Sequence, residues 1–168
     1  MAKQLIKNGA LVSDEWTLVE DDEPLTEAPS IVSVNRLLHD DALAERNAPL
    51  AVILRAGTKT GEDVYALAPY LDRLTMIAIE FPVFRNGRGY SSARILREEL
   101  GYQGELRAEG EVLYDQLLFL SRCGFDSYHI DDTIDPAQFA KALNTLPDAY
   151  QPSGTHNAGI LWRRHLSS

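Results

Sequence analysis

Met76-Ile77-Ala78-Ile79-Glu80-Phe81-Pro82-Val83-Phe84-Arg85-Asn86-Gly87-Arg88-Gly89-Tyr90-Ser91 is the stretch on which the fold turns. Its opening is a short, nearly unbroken apolar run, the pattern of a strand covered on both faces. A loop with proline and glycine follows, and then Ala93, Leu96 and Leu100 recur at spacings of three and four, a helical stripe with one buried side. Strand, loop and helix in that order are the first part of a βαβ unit. The same order recurs around Ile31-Val32-Ser33-Val34, Ala51 to Arg55, Glu105 to Ala108 and Ser127 to Ile130. This alternation predicts an α/β fold with a predominantly parallel sheet of about five strands flanked by helices. A doubly wound open sheet is the expected arrangement, with a partial barrel as the alternative.

The helices carry their own punctuation. Val112, Leu113, Gln116, Leu117 and Leu120 form one stripe, closed by Cys123-Gly124-Phe125, while Leu100-Gly101-Tyr102 closes the stripe before it. Both put glycine where a helix ends in the left-handed conformation. Asp135-Pro136 opens a last helix before Phe139, Leu143 and Leu146, and Pro147 ends it. Between Gly61 and Leu74 an apolar stripe is interrupted by Pro69, which predicts a kink or two short helices.

Outside this alternation, Leu5-Ile6-Lys7 and Ala10-Leu11-Val12 flank Asn8-Gly9, a hairpin signal that Trp16-Thr17-Leu18-Val19 could extend. Residues 20–30 carry five carboxylates and two prolines and read as a surface connector. The expected organisation is one domain: hairpin 1–19, acidic connector 20–30, α/β core 31–149 and tail 150–168. The tail holds Trp162-Arg163-Arg164-His165, suited to an edge strand or to docking a partner.

Length and composition agree with a single globular domain: 168 residues, 45% hydrophobic and 24% charged. Sixteen Lys and Arg against 25 Asp and Glu leave a net charge of -9, which repels a polyanion and argues against nucleic-acid partners. Cys123 is the sole cysteine, so no internal disulfide forms. Histidines 39, 129, 156 and 165 show no spacing that would put two metal ligands on one helix face. Flavin, nicotinamide and metal signatures are missing, and the cofactor stays unknown. The sequence has no secretory leader at its start and no run long enough to span a membrane, which predicts a cytoplasmic protein without membrane contact.

Chemistry is expected in the loops that leave the carboxyl ends of parallel strands. The stretch from Phe81 to Arg97 has no acidic residue but carries Arg85, Arg88, Arg94 and Arg97, a reversal of field within an acidic chain. Gly87 and Gly89 would let backbone N–H groups approach a ligand, with Tyr90 beside them, and Ser91 or Ser92 would cap the next helix. Arg55 and Arg107 would converge from neighbouring strands, and the guanidinium fork suits a small oxyanion. The competing reading pairs these arginines with Glu80, Glu98, Glu99 and Glu105 in weak surface ion pairs. Glu80, at a strand end beside Phe81 and Phe84, is the candidate catalytic base, with a salt bridge to Arg85 or Arg107 as its other role. His129 and Asp131 alternate on one strand and face the same side, which would let them share a proton. Cys123 falls at a helix C-terminus, where the dipole opposes a thiolate.

The run Phe81-Pro82-Val83-Phe84-Arg85-Asn86-Gly87-Arg88-Gly89-Tyr90-Ser91, with Gly104-Glu105-Leu106-Arg107-Ala108, Asp115-Gln116-Leu117 and Arg122-Cys123-Gly124-Phe125-Asp126, resembles a proteobacterial family built on a domain of unknown function. Asn86 stands where that family often has Asp. The resemblance implies a gene neighbourhood of sulfite or nitrite reductase and an oxidoreductase label, but carries no mechanism. It adds the expectation of a protein that assists assimilatory sulfur or nitrogen reduction by binding an oxyanion-bearing ligand. The alternatives are a docking partner of the reductase without chemistry of its own, and a small lyase or isomerase with Glu80 as base and Arg107 as clamp.

Overall fold

A computed structural model describes residues 3–56, 60–81 and 88–145. Its strands are β1 (Lys3–Lys7), β2 (Ala10–Val12), β3 (Thr17–Leu18), β4 (Ser30–Ser33), β5 (Leu50–Leu54), β6 (Met76–Phe81), β7 (Glu105–Gly110) and β8 (Ser127–Asp131). They form one sheet in the order β2-β1-β8-β7-β6-β5-β4-β3. Every pairing from β3 to β8 is parallel, while β1 pairs antiparallel with both β8 and β2. The sheet is therefore mixed and eight-stranded, where about five strands were expected.

The five expected strands are β4 to β8, and the additions come from the N-terminal segment. Asn8 (φ 52°) and Gly9 (φ 81°) both adopt the positive φ of a type I′ turn, so the hairpin forms as its sequence directs. It is no appendage, however. Leu5 and Ile6 are buried on opposite faces, so β1 needs cover on both sides and finds it by zipping along β8. Thr17-Leu18 does not extend the hairpin either, but lies parallel to Ser30-Ile31 at the far edge of the sheet.

The helices are α1 (Val34–His39), α2 (Thr60–Ala66), α3 (Arg88–Arg94), α4 (Leu117–Arg122) and α5 (Pro136–Thr145). Pro69 acts as expected: α2 stops at Ala66, and a separate 3₁₀ turn, Ala68–Arg73, carries the proline in its first turn. α3 runs on into a π-helical turn, Ile95–Glu99. Asp135 caps α5 by accepting a hydrogen bond from the Ala137 amide at 2.9 Å. No helix among the described residues is long and apolar enough to cross a membrane.

Strand order corrects the doubly wound expectation. From β4 to β8 the order never reverses, and right-handed crossovers without a reversal put every helix on the same face. The packing agrees: Leu37, Val64, Ala93, Leu96, Leu117, Leu120 and Phe139 from the helical layer share one core with Val32, Val52, Ile77, Ile79, Leu106, Tyr128 and Ile6 from the sheet. The other face has its own small cluster, Ile31, Ala51, Ile53, Met76 and Ala78, joined by Trp16.

The chain connection shows that the sheet curls. β2 and β3 are its two edges, yet only Ser13 to Trp16 separate them. Seven flat inter-strand steps would span about 34 Å, whereas five Cα–Cα steps reach at most about 19 Å. The edges must swing toward each other, giving a partial barrel with helices outside and residues 13–16 as a strap across its mouth. Trp16 seals the apolar part of the inner face.

Candidate functional site

Strand alternation sorts the polar residues. On β7, Leu106 and Ala108 face the helices, so Glu105, Arg107 and Glu109 face inward. Register carries this to the neighbours. Ala78 pairs Arg107, Arg107 pairs Ser127, and Glu80 pairs Glu109, so Glu80, Ser127 and His129 line the inner face as well. One half of the curl is thus apolar, from β4 to β6, and the other half polar, from β6 to β1.

Arg107 is the hub of the polar half and, at 2% exposure, is among the largest fully buried side chains. Its Nη1 donates to both carboxylate oxygens of Asp14 at 3.1 Å, an acid the strap brings in from the distant edge. Glu109 lies 3.7 Å and Glu105 3.9 Å from the guanidinium, and among the described residues the Arg107 Nε has no hydrogen-bond partner. Glu105 also receives Lys7 Nζ at 2.7 Å and the Ser127 hydroxyl at 2.6 Å. Glu109 takes the Nδ1 of His129 at 2.8 Å. A carboxylate only accepts, so that contact puts the proton on Nδ1 and leaves the lone pair of the neutral ring on Nε2.

Toward the carboxyl rim, a Glu80 oxygen accepts the Ala56 amide at 2.7 Å, which ties the loop after β5 to β6. Arg55 contacts Glu20 at 3.2 Å. Glu80 and Arg107 share the inner face, with Glu80 two residues beyond the register partner of Arg107, and the described partner of Glu80 is a backbone N–H.

Beyond β6 the expected cluster divides. Arg85 and Gly87 lie outside the described residues, as does the side chain of Arg88, which opens α3. The rest of that stretch belongs to the helical layer, on the opposite side of the sheet from Arg107. A Cβ on Gly89 would sit 2.5 Å from the Phe81 ring, so this glycine makes room for an aromatic rather than for a ligand. Tyr90 packs tilted against Phe81 at 5.3 Å and edge-on to Phe119 at 4.9 Å. Because α3 begins at Arg88, Ser91 and Ser92 lie within it instead of capping it, Ser91 exposed and Ser92 buried. Arg94, 58% exposed, forms a loose 3.6 Å pair with Glu98, as the competing reading had it. Arg97 is wholly structural: buried, it donates to the carbonyls of Tyr102, Gly104 and Gly124 and to Asp126.

Sequence reasoning missed Asp14 and Glu109. Glu109 could have been found, since Glu105, Arg107, Glu109 is an alternating charged triplet that puts three ionisable groups on one face of a strand. Asp14 left no such signal. Asp131 does share a face with His129, but it accepts the Thr133 amide at 3.0 Å, and the partner of His129 is Glu109. Burial raises the Cys123 thiol to about 11, consistent with a structural thiol. Among the described residues, no three His, Cys, Asp or Glu side chains are grouped to hold a metal ion.

No curated protein and no solved structure matches this chain. Residues 56–161, from the loop after β5 onward, match a bacterial family of unknown function, DUF934, so the match takes in β6 to β8 and their charged inner face. The chain belongs to that family.

Proposed function

We propose that the protein binds a small oxyanion-bearing ligand at the carboxyl ends of its parallel strands. One observation carries this reading: the acid-free stretch with Arg85, Arg88 and Arg94 follows in sequence directly on the carboxyl end of β6, the middle strand of the parallel set β4 to β8, whose inner face carries Glu80. In barrel-like α/β folds ligands sit at that end, where loops and helix N-termini converge. Arg85, Arg88 and Arg94 would supply the charge from the loop and α3, and Arg55 from the loop after β5. Arg107, shielded by carboxylates, would set the field of the inner face beneath them. Sulfite and nitrite come first among ligands, given the reductase neighbourhood that the family resemblance implies.

The test is thermal shift and calorimetry with sulfite, nitrite, sulfate, phosphate and adenylyl sulfate, repeated on Arg88→Ala/Arg94→Ala, with Arg97 left intact because the fold needs it. A saturable shift, lost in the double variant, is the expected result. A flat panel refutes the reading. It would favour a docking protein for the reductase, for which the exposed Leu113, Tyr114 and Phe119 beside Tyr90 offer a contact surface. Co-purification with the reductase, lost on Phe119→Ser, would establish that role.

A further inference from the structure

We infer that His129 is the residue that exchanges a proton with whatever occupies the inner rim, that Glu109 orients it, and that Arg107 holds Glu109 in place. The inference rests on the ligand reading above and names the chemistry of that same site. His129 Nδ1 is 2.8 Å from a Glu109 carboxylate oxygen, and the other oxygen of Glu109 is 3.7 Å from the buried Arg107 guanidinium. The imidazole is thus fixed in rotation and in tautomer, with the basic Nε2 opposite the bond to Glu109. Its side chain is 27% exposed, buried enough to be held and open enough to be reached. The ring stands on the inner face at the middle of β8, level with Glu109 near the carboxyl end of β7, on the side of the sheet where barrel-like folds place their chemistry.

The proton balance needs no further reagent. Nε2 takes a proton from an O–H or C–H bond of the ligand, and the bonding electron pair stays on the ligand. The imidazolium charge is met by Glu109, and the proton returns from Nε2 to the ligand or to water. The class of ligand is therefore a small oxyanion-bearing acid that must lose or gain one proton.

His39 provides an internal control. Its Nδ1 is 2.9 Å from the Asn35 carbonyl, so it has the same tautomer, but its partner is neutral and the residue is exposed. Access alone would make His39 the more reactive, whereas a carboxylate-activated Nε2 would make His129 the more reactive. The experiment is carbethoxylation of the full chain by diethyl pyrocarbonate at neutral pH, with each histidine followed by peptide mass spectrometry. His129 is expected to react faster than His39 in the wild type and to lose that advantage in Glu109→Gln, while His39 is unchanged in both. A His129 rate at or below that of His39 in the wild type overturns the proposal without recourse to any variant. So does an advantage that survives in a folded Glu109→Gln protein. A parallel run in inorganic sulfate tests the ligand reading separately: protection of His129 supports it, and no protection, with the rate advantage intact, removes that reading and leaves the proton-transfer pair standing.

Discussion

Replacing Arg97 by methionine separates the arginines that hold this fold from those left for a ligand. Arg97 makes bonds of 2.8 Å to the Tyr102, Gly104 and Gly124 carbonyls and to Asp126, and a longer one of 3.2 Å to Gly124 through Nε. Its guanidinium also lies 5.7 Å from the centre of the Tyr102 ring. Methionine keeps most of the stem volume, so the cavity term stays small and the loss is electrostatic. Removing one member of a buried ion pair costs about 3–5 kcal/mol, because the other charge stays buried without compensation. The upper part of that range applies here, since three carbonyls lose a donor together with Asp126. For a chain of this size, about 4–5 kcal/mol corresponds to a Tm lower by about 8–20 °C. Arg94→Ala, at an exposed pair one helical turn long, should cost about 0.5 kcal/mol or less. Urea titration and calorimetry of both variants measure the difference. If Arg97→Met lost under about 1 kcal/mol, or no more than Arg94→Ala, the division of these arginines into fold and surface would be refuted.

Two further outcomes follow from the same contacts. Gly89→Ala should destabilise by about 1–3 kcal/mol in urea, since its Cβ overlaps the Phe81 ring, and Phe81→Leu should recover part of that loss; full stability of the alanine variant would contradict the packing. Cys123, its thiol raised to about 11 by burial, should alkylate slowly with iodoacetamide near neutrality. Its rate should keep rising as the pH approaches that value, because only the thiolate reacts, and a plateau at the pH of an ordinary free thiol would show that it is not shielded.

Local patterns determined a good deal by themselves. Apolar runs at Ala51 to Arg55 and Met76 to Phe81, the Asn8-Gly9 turn, the break at Pro69 and the Asp135-Pro136 start all act through neighbours a few residues away, and each appears where the pattern placed it. Membership of the family was likewise legible, in motifs around Arg88 and Arg122. The ion pair of Arg94 with Glu98, one helical turn away, is also a local matter.

Tertiary structure alone decided which face each charged residue meets and what stands opposite it. Arg94 and Arg107 are thirteen positions apart, yet one lies in the helical layer and the other inside the curl, because Arg94 belongs to the crossover helix α3 whereas strand parity turns Arg107 to the inner face of β7. Asp14 reaches Arg107 only because the hairpin pairs with β8 at one edge while β3 pairs with β4 at the other, so the strap between them must cross the mouth. Strand order is set by the summed burial of the whole sheet, a long-range quantity with no imprint on any one window of sequence. The His129–Glu109 pair is a product of that order: β7 and β8 lie side by side in register, and the two side chains meet on the inner face.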